Sequence, residues 1–233
     1  MKKYLLIVFI ISLSISMFAG DVNTARLEAE EFAKMALVAH GGESFKNMKS
    51  LIVRGKVDVT VSSFNQTIPA TFTTIFAGEK YFLEINNPFQ PFKQVFDGVE
   101  THTSVQRGFT FPPLNRLGLP LLQKLGSEGF TVSALAKKKK TGFRITSPEG
   151  YYTDFYLNKK THRVKAYDSS YVVRGRDVTT SVEVSKYEEQ DGISIPKKYA
   201  QRFDIGQMTV YAAFKAKEII LNTKIDDDVF TLK

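Results

Sequence analysis

The sequence contains no cysteine among its 233 residues. This absence excludes disulfide bonds, thiol catalysis and thiolate metal ligands, so stability must come from a hydrophobic core. It also excludes the lipidated cysteine through which bacterial lipoproteins are anchored to a membrane. We therefore expect a protein that is not acyl-anchored, with a chain long enough to bury a sizeable core.

Residues that carry catalysis are scarce and scattered. The three histidines, His40, His102 and His162, lie far apart in the sequence and lack the spacing of metal ligands. No nucleophile elbow and no glycine-rich phosphate-binding loop is present. The densest acidic run, Asp226–Asp228, is interpreted as a solvated turn, because a calcium loop needs alternate oxygen ligands over a longer segment. The sequence predicts no catalytic residue, no metal site and no cofactor, and hence not an enzyme.

Tryptophan is also absent, whereas phenylalanine occurs 19 times. Phenylalanine gives an interior without polar atoms, which suits a fatty chain as well as it suits an ordinary core. Burial gains about 0.8 kcal/mol per methylene, so an acyl chain of roughly a dozen methylenes gains on the order of 10 kcal/mol before entropy costs. Composition alone leaves two interpretations open: a lipid-binding cavity, or a core filled by the protein's own side chains.

The first twenty residues have the order of a secretory signal. Lys2 and Lys3 form a positive n-region, an uncharged apolar run continues to Phe18, and Ala19 and Gly20 are small residues suited to cleavage. An uncleaved membrane anchor is the alternative, but the run is shorter than the roughly 20 residues that a spanning helix needs. We expect residues 1–20 to be a signal peptide and residues 21–233 to form a single exported β domain.

Basic residues exceed acidic residues and give a formal net charge of +8. They are spread along the chain, and export separates the protein from nucleic acid, so no nucleic-acid partner is expected. The one basic run, Lys137–Lys140, precedes Gly142 and fits a solvated hairpin end better than a contact with anionic headgroups.

The hydrophobic pattern predicts one helix followed by many strands. Apolar residues recur at helical spacing over residues 25–39, and Gly41-Gly42 ends the helix. From residue 50 onward the period changes to about 2, beginning with the strand Leu51–Val61. The strands total about ten and are joined by tight turns, which is typical of an antiparallel meander. We expect a mainly β fold, in which a curved meander sheet forms an incomplete antiparallel β-barrel with the N-terminal helix on its concave side.

The segment Phe109–Leu125 breaks the strand pattern, because it is rich in proline and leucine. It is too apolar for an ordinary loop and too often interrupted by proline for a single helix. We expect this segment, called the lid below, to cover the concave side of the sheet as helical turns and loop. A second apolar loop, Pro88–Phe92, precedes it.

Three segments in the C-terminal third carry a family resemblance: Thr153–Asp168, Asp191–Phe203 and Lys217–Leu232. Their marks are an Asn-and-Thr turn after a strand, a Gly-x-x-x-Pro strand entry, and a closing pattern of Asn, Ile-Asp-Asp and Phe. These marks fall on Asn158 and Thr161, Gly192 and Pro196, and Asn222, Ile225, Asp226, Asp227 and Phe230. In these features the chain resembles the LolA/LolB-like superfamily of outer-membrane lipoprotein-sorting proteins.

The resemblance implies an incomplete antiparallel barrel whose lidded concave side receives acyl chains. It implies a soluble, monomeric periplasmic carrier that binds lipid or lipoprotein acyl chains and works between an inner-membrane donor complex and an outer-membrane acceptor. The best-known carriers of the family have an arginine within the cavity. Here Arg54 falls on the polar face of its strand, so it is a poor match. The missing lipobox cysteine fits the branch of the family that is not anchored.

Two functional hypotheses follow. The first is a carrier whose ligand-binding cavity is lined by strand residues and closed by leucines of the lid. The expected lining residues are Val53, Val57, Phe72, Phe76, Leu83, Ile85 and Phe96, and the expected lid residues are Leu114, Leu117, Leu121 and Leu122. The second is a non-enzymatic interaction or sensor module of the envelope, with the same fold and a filled core. That module would contact a partner through the Phe89–Phe92 loop and the lysine run.

Overall fold

The structure is a computed structural model, and it describes residues 24–61, 66–89, 91–105, 114–136, 140–173, 176–205 and 208–232. The expected signal peptide, residues 1–20, lies outside the described residues. The same holds for residues 106–113, which include the first part of the lid, and for residues 137–139 of the basic run. Within the described part of the chain, no helix is both long and apolar enough to cross a membrane.

Within the described residues, twelve strands form one antiparallel sheet. They are β1 (Ser50–Val61), β2 (Gln66–Ala77), β3 (Lys80–Asn86), β4 (Phe92–Phe96), β5 (Thr101–Thr103), β6 (Thr131–Ser133), β7 (Gly142–Thr146), β8 (Tyr152–Leu157), β9 (Val164–Val173), β10 (Arg176–Gln190), β11 (Ile193–Ile205) and β12 (Met208–Leu221). Their order is β5-β4-β3-β2-β1-β12-β11-β10-β9-β8-β7-β6, so two meanders join where β1 pairs with β12. The strands β5 and β6 are the two edges, and the barrel is therefore incomplete, as the sequence predicts.

The lid is the connection between those two edge strands, since it follows β5 and precedes β6 in the chain. Its described part contains two 3₁₀ helices, Leu114–Arg116 and Leu119–Lys124. The described part of the lid packs against the concave face, because Leu119, Leu121 and Leu122 belong to the same core as Val53 and Val57 of β1.

Strand β1 shows how alternation directs side chains to the two faces of the sheet. Leu51, Val53 and Val57 are buried in the concave core, whereas Arg54 is exposed. The pairing of β1 with β12 shifts register next to Gly55. A Cβ atom at Gly55 would lie 2.2 Å from the backbone oxygen of Lys215, so only glycine fits where the two backbones approach at this bulge.

The predicted N-terminal helix, α1, spans residues 24–39. It buries Ala29, Ala33 and Ala36 in the concave core, because their small side chains let the helix lie close to the sheet. The helix ends at a glycine pair with positive φ, and the short helix α2 (Glu43–Lys46) then adds Phe45 to the same core.

A second, smaller core lies on the opposite, convex face of β1 and β2. There Ile52 and Ile75 pack against Phe230, which belongs to the C-terminal 3₁₀ helix Asp227–Phe230. Asp227 forms an ion pair with Lys80 at the start of β3 (2.8 Å). The C-terminal segment therefore folds back over the sheet and covers apolar residues that would otherwise face water.

Candidate ligand-binding cavity

A cavity of about 300 Å³ lies between the concave face of the sheet and the lid, and it is partly open to solvent. Strands β1, β3, β9 and β11 all contribute to its wall, although β3 and β9 are far apart in the sheet order. Strands so far apart can share one cavity only because the sheet curves around it. The helix α2 and the turn after it add Phe45 and Met48 to the wall.

Some residues that the sequence predicts for the site lie on the cavity wall. Val53, Phe76, Leu83 and Ile85 of the expected lining do so, together with Leu114 and Leu117 of the expected lid. They occupy inward positions on β1, β2 and β3, or the lid segment that faces those strands. Their contact with a ligand stays a prediction.

Three other expected lining residues pack next to the wall instead of forming it. Val57 is fully buried in the concave core. Phe72 lies edge-on to the wall residue Phe214, with ring centroids 5.0 Å apart. Phe96 stacks on Tyr81 in a cluster beside the wall, with ring centroids 6.1 Å apart. The structure assigns these three side chains to the support of the wall.

Two expected lid residues are not among the described residues that line the cavity. Leu121 and Leu122 have no exposed surface and pack into the concave core. Leu119 and Pro120, which precede them, line the cavity. All three leucines of the second 3₁₀ helix thus pack into the concave core, and Leu119 also reaches the cavity, so this helix fixes the lid to the sheet.

The opposite half of the wall was missed by the sequence analysis. It comes from strands β9 to β12 and consists of Tyr167, Ser169, Tyr171, Thr180, Val182, Ile195, Pro196, Tyr199, Gln201, Phe203, Val210, Ala212 and Phe214. The signal for it is alternation, since Tyr167, Ser169 and Tyr171 occupy every second position of β9. Hydrophobic periodicity does not reveal such a face, because its inward residues include serine, threonine and glutamine.

Glu79, in the turn between β2 and β3, holds the lid to the sheet. Its carboxylate forms ion pairs with Arg116 (3.3 Å) and with Lys124, and it accepts a hydrogen bond from Nδ2 of Asn115 (3.2 Å). The Asn115 amide also donates to the backbone oxygen of Glu79 (2.8 Å). The side chains of Arg116 and Lys124 are only 22% and 21% exposed, so the contacts are partly shielded from solvent.

Gly118, between the two 3₁₀ helices of the lid, adds a backbone anchor. Its N–H donates to the hydroxyl of Thr153 on β8 (3.0 Å). Gly118 has a φ of 65°, and a Cβ atom there would lie 2.7 Å from Cε2 of Tyr167. Glycine is therefore required for two reasons: the backbone is left-handed, and the lid passes directly over a tyrosine ring of the wall.

The cavity is uncharged as well as apolar. Among the described residues that line it, none carries a charged side chain. Burial raises the pKa of Tyr167, Tyr171 and Tyr199, so their phenols stay neutral at physiological pH. Arg54, the arginine considered in the sequence analysis, is exposed and forms an ion pair with Glu218 (2.8 Å). Such a wall favours hydrocarbon and penalises an unpaired ion.

The size of the cavity suits one hydrocarbon chain. An apolar cavity of about 150 Å³ accepts one molecule of benzene, which has six carbons. By that measure the cavity of about 300 Å³ has room for a chain of roughly a dozen carbons.

The histidines do not form a site together. His40 is fully buried at the end of α1, His102 lies on the edge strand β5, and His162 lies in the turn after β8. In the part of the chain that the structure describes, no three histidine or acidic side chains are placed to hold a metal ion.

No family sequence model matches the chain. No curated protein matches its sequence either. Solved structures do resemble it. A LolA superfamily protein from Nitrosomonas europaea superposes with a TM-score of 0.54 at 11% identity, covering 88% of this chain and 98% of that one.

Two further structures match less closely. A DUF1329 family protein from Desulfovibrio piger has a TM-score of 0.49, and an outer membrane lipoprotein-sorting protein domain from Vibrio parahaemolyticus has one of 0.47. Both are 10% identical to this chain, cover 88% of it, and are themselves covered to 97%. Together with the order of the twelve strands, the match to the Nitrosomonas europaea protein shows that this chain has the LolA-like fold, an open antiparallel barrel.

Proposed function

We propose that the protein is a periplasmic carrier that holds the acyl chain of a lipid or lipoprotein in the cavity under the lid. The observation that carries this proposal is the cavity itself: about 300 Å³ of uncharged, mostly apolar space between the concave sheet and the lid. The LolA-like fold supports the same assignment, because one solved member of that superfamily shares this architecture. Binding requires no reaction, and we propose that the protein acts without catalysis.

The energetics of burial support a hydrocarbon ligand. A chain of roughly a dozen methylenes gains on the order of 10 kcal/mol by leaving water, and part of this gain offsets the entropy lost on binding. The wall supplies matching surface from both sides, with Leu83 and Ile85 on one and Val182 and Phe214 on the other. Water inside such a cavity finds few hydrogen-bond partners, so its displacement by an apolar chain is favourable.

The place and the partners of this function belong to the same proposal. The signal sequence expected in residues 1–20 directs the chain out of the cytoplasm, and the LolA-like fold favours the periplasm. A carrier there takes its cargo from an inner-membrane donor complex and delivers it to an outer-membrane acceptor. The cavity receives lipid one chain at a time, which suits a monomer.

A second candidate is an envelope interaction module, and one observation favours it. Phe89, between Pro88 and residue 90, is 74% exposed, which is costly for a large apolar side chain unless it contacts a partner. In this interpretation the loop that contains Phe89 binds another protein, and the cavity has no cargo.

The test is to purify the protein from a bacterial periplasm without detergent and to examine it by native mass spectrometry. We expect a mass increment of one acyl ligand per chain, and we expect solvent extraction to release that ligand for identification. Delipidated protein should rebind a chain of about twelve carbons, as judged from the room in the cavity.

The opposite result is equally clear. If native mass spectrometry of the purified protein shows only the mass of the polypeptide, and if the delipidated protein binds no added acyl compound, the carrier proposal fails. Recovery of one stoichiometric partner protein, lost on substitution of Phe89→Ala, would then favour the interaction module.

A further inference from the structure

Strand pairing brings four lysines into one line across the middle of the sheet. Lys56 of β1 lies directly opposite Lys215 of β12. Lys215 in turn lies opposite Lys198 of β11, which lies opposite Lys186 of β10. Neighbouring strands are about 4.8 Å apart, so the line is roughly 14 Å long. These residues are called the cross-strand lysines below. They are distant in the sequence, and only the antiparallel register brings them together.

The cross-strand lysines point to the convex face, away from the cavity. Each of them is next in sequence to a residue of the concave side, and these residues are Val57, Phe214, Tyr199 and Tyr187. Val57 belongs to the concave core, Phe214 and Tyr199 line the cavity, and Tyr187 packs on His40 at the end of α1. Because successive side chains of a strand alternate between its two faces, the lysines lie on the other face. All four are exposed there.

The positive charges of the cross-strand lysines are not neutralised by the part of the protein that the structure describes. None of their amino groups forms an ion pair with a described residue, whereas Arg54 and Arg202 on the same face each have a carboxylate partner. Like charges directly opposite each other on neighbouring strands destabilise a sheet. The arrangement is therefore unfavourable for the isolated protein, and an anionic partner would relieve it.

The adjacent rows of the convex face leave the centre of this line positive. In the order of the strands β1, β12, β11 and β10, the next row consists of Asp58, Ala213, Ala200 and Glu183. Its carboxylates lie at the two ends, so Lys215 and Lys198 have only alanine beside them in that row. On the other side, Arg54 and Glu218 form an ion pair with each other (2.8 Å) and add no net charge.

The place of these lysines in the sheet excludes a common structural role of surface lysine. Lysine on an edge strand prevents the strand from pairing with a second chain. The strands β1, β12, β11 and β10 are instead the central four of the twelve described strands, and each is paired on both sides. Protection of an edge therefore does not explain the line of charge.

We propose that the cross-strand lysines dock the protein on an anionic phospholipid membrane. Charge complementarity selects this partner, and lysine, a flexible and hydrated point charge, suits a surface of many phosphates better than a single group. Protein–protein interfaces are depleted of lysine, whereas clusters of four or more basic residues are typical of binding to anionic lipid. Tyr211, which is 49% exposed two rows away on the same face, adds a side chain of the kind enriched at membrane–water interfaces.

Docking through the convex face leaves the cavity on the far side of the sheet. None of the cross-strand lysines lines the cavity, and the described part of the lid packs on the concave face. The lid of the docked protein therefore stays free to meet a soluble partner. This proposal goes beyond acyl binding and does not depend on it, so removal of these lysines should leave the affinity for an acyl ligand unchanged.

The experiment measures co-sedimentation of the protein with vesicles of equal parts phosphatidylglycerol and phosphatidylcholine, and with vesicles of phosphatidylcholine alone. We expect the wild type to bind only the anionic vesicles at low ionic strength and to be released by high salt. Each lysine near an anionic surface strengthens binding about fivefold, so loss of all four charges should weaken it roughly a hundredfold or more. The variant that removes them is Lys56→Gln, Lys186→Gln, Lys198→Gln, Lys215→Gln.

A matched control removes the same charge from other parts of the surface. It is the quadruple variant Lys34→Gln, Lys46→Gln, Lys159→Gln, Lys160→Gln. These lysines are also exposed and form no ion pair with a described residue, but they lie on α1, on α2 and in the turn after β8. We expect the control to bind anionic vesicles within about fivefold of the wild type, because its lysines lie outside the docking face.

Thermal unfolding shows that the comparison is made on folded protein. Because the cross-strand variant loses repulsion between like charges, its unfolding temperature should be no lower than that of the wild type. A clear decrease would mean that the lysines support the fold, which contradicts the proposal.

Three binding results would also overturn it. Equal losses in the two quadruple variants would show that net charge alone attracts the protein. A wild type that does not bind the anionic vesicles would exclude a membrane as the partner. Binding of the wild type to soluble polyglutamate but not to the vesicles would assign the surface to an acidic protein instead.

Discussion

The backbone N–H of Val164 donates a hydrogen bond to Nε2 of His40, 3.2 Å away. The other ring nitrogen, Nδ1, therefore carries the proton and donates it to the backbone oxygen of Ser194 (3.0 Å). The ring lies edge-on to Tyr187, whose hydroxyl donates to the backbone oxygen of Val164 (2.6 Å). One neutral imidazole thus connects the end of α1 to β9 and β11.

We expect acid to destabilise the protein through His40. Burial, and to a lesser extent the charge of Arg163, lowers the pKa of His40 from 6.5 to about 4. Because the unfolded chain binds this proton more readily, stability is complete above pH 6.5 and falls by roughly 3 kcal/mol as the pH drops to 4. Urea unfolding at several pH values in this range measures how the free energy of unfolding depends on pH. The variant His40→Gln should lose this part of the pH dependence, whereas His102→Gln should keep it. Equal slopes in both variants would contradict the assignment.

The elements that the sequence predicts well are those set by local patterns. The alternation in β1 and the alanine face of α1 depend on residues two to four positions apart, and both appear as predicted. The lid was recognisable for a similar reason, because prolines and leucines in Phe109–Leu125 fit neither period. The predicted fold class is confirmed, with twelve strands in place of about ten.

The features that the sequence does not reveal depend on contacts between distant segments. The inward face of β9 is not recognisable by its hydrophobicity, because Ser169 on that face is polar and is paired with Thr153 only across the sheet. Alternation places Ile52 on the same face of β1 as the exposed Arg54, yet Ile52 is buried there by Phe230, which lies far along the chain. The half of the cavity wall that comes from β9 to β12 is not predicted, because only the curvature of the sheet turns it towards the lid.

A larger side chain at Ala212 should block the cavity. Ala212 lines the wall on β12, and Ala212→Leu adds three carbons to a space that holds roughly a dozen. We expect the affinity for a twelve-carbon ester to fall at least tenfold, while the free energy of unfolding falls by no more than about 1 kcal/mol, since the added group enters empty space. Ala213→Leu is the matched control, because the neighbouring residue is exposed on the other face. Unchanged affinity in Ala212→Leu would place the ligand elsewhere.

Loss of the Glu79 carboxylate should speed ligand exchange. Glu79→Gln removes the ion pairs with Arg116 and Lys124, which join the lid to the turn after β2. Partly shielded ion pairs contribute on the order of 1 kcal/mol, so the dissociation rate of bound ester should rise about fivefold. Stopped-flow displacement measures this rate. High salt should have a similar effect on the wild type, and Glu100→Gln, an exposed change outside the lid contacts, should have none. Identical rates in Glu79→Gln and the wild type would show that these ion pairs do not limit exchange.

Stability and ligand binding should separate at the convex core. Phe230 is 2% exposed and packs on Ile52 and Ile75, across the sheet from the cavity. Phe230→Ala should lower the free energy of unfolding by about 3 to 4 kcal/mol, because it leaves a void under the C-terminal segment. The control Phe89→Ala, at a side chain 74% exposed, should change it by less than about 0.5 kcal/mol. Denaturant unfolding gives both values, and ester affinity measured on the folded fraction should stay the same in both variants. A parallel loss of affinity in Phe230→Ala would mean that the convex core also fixes the shape of the cavity, since both lie on the same strands, β1 and β2.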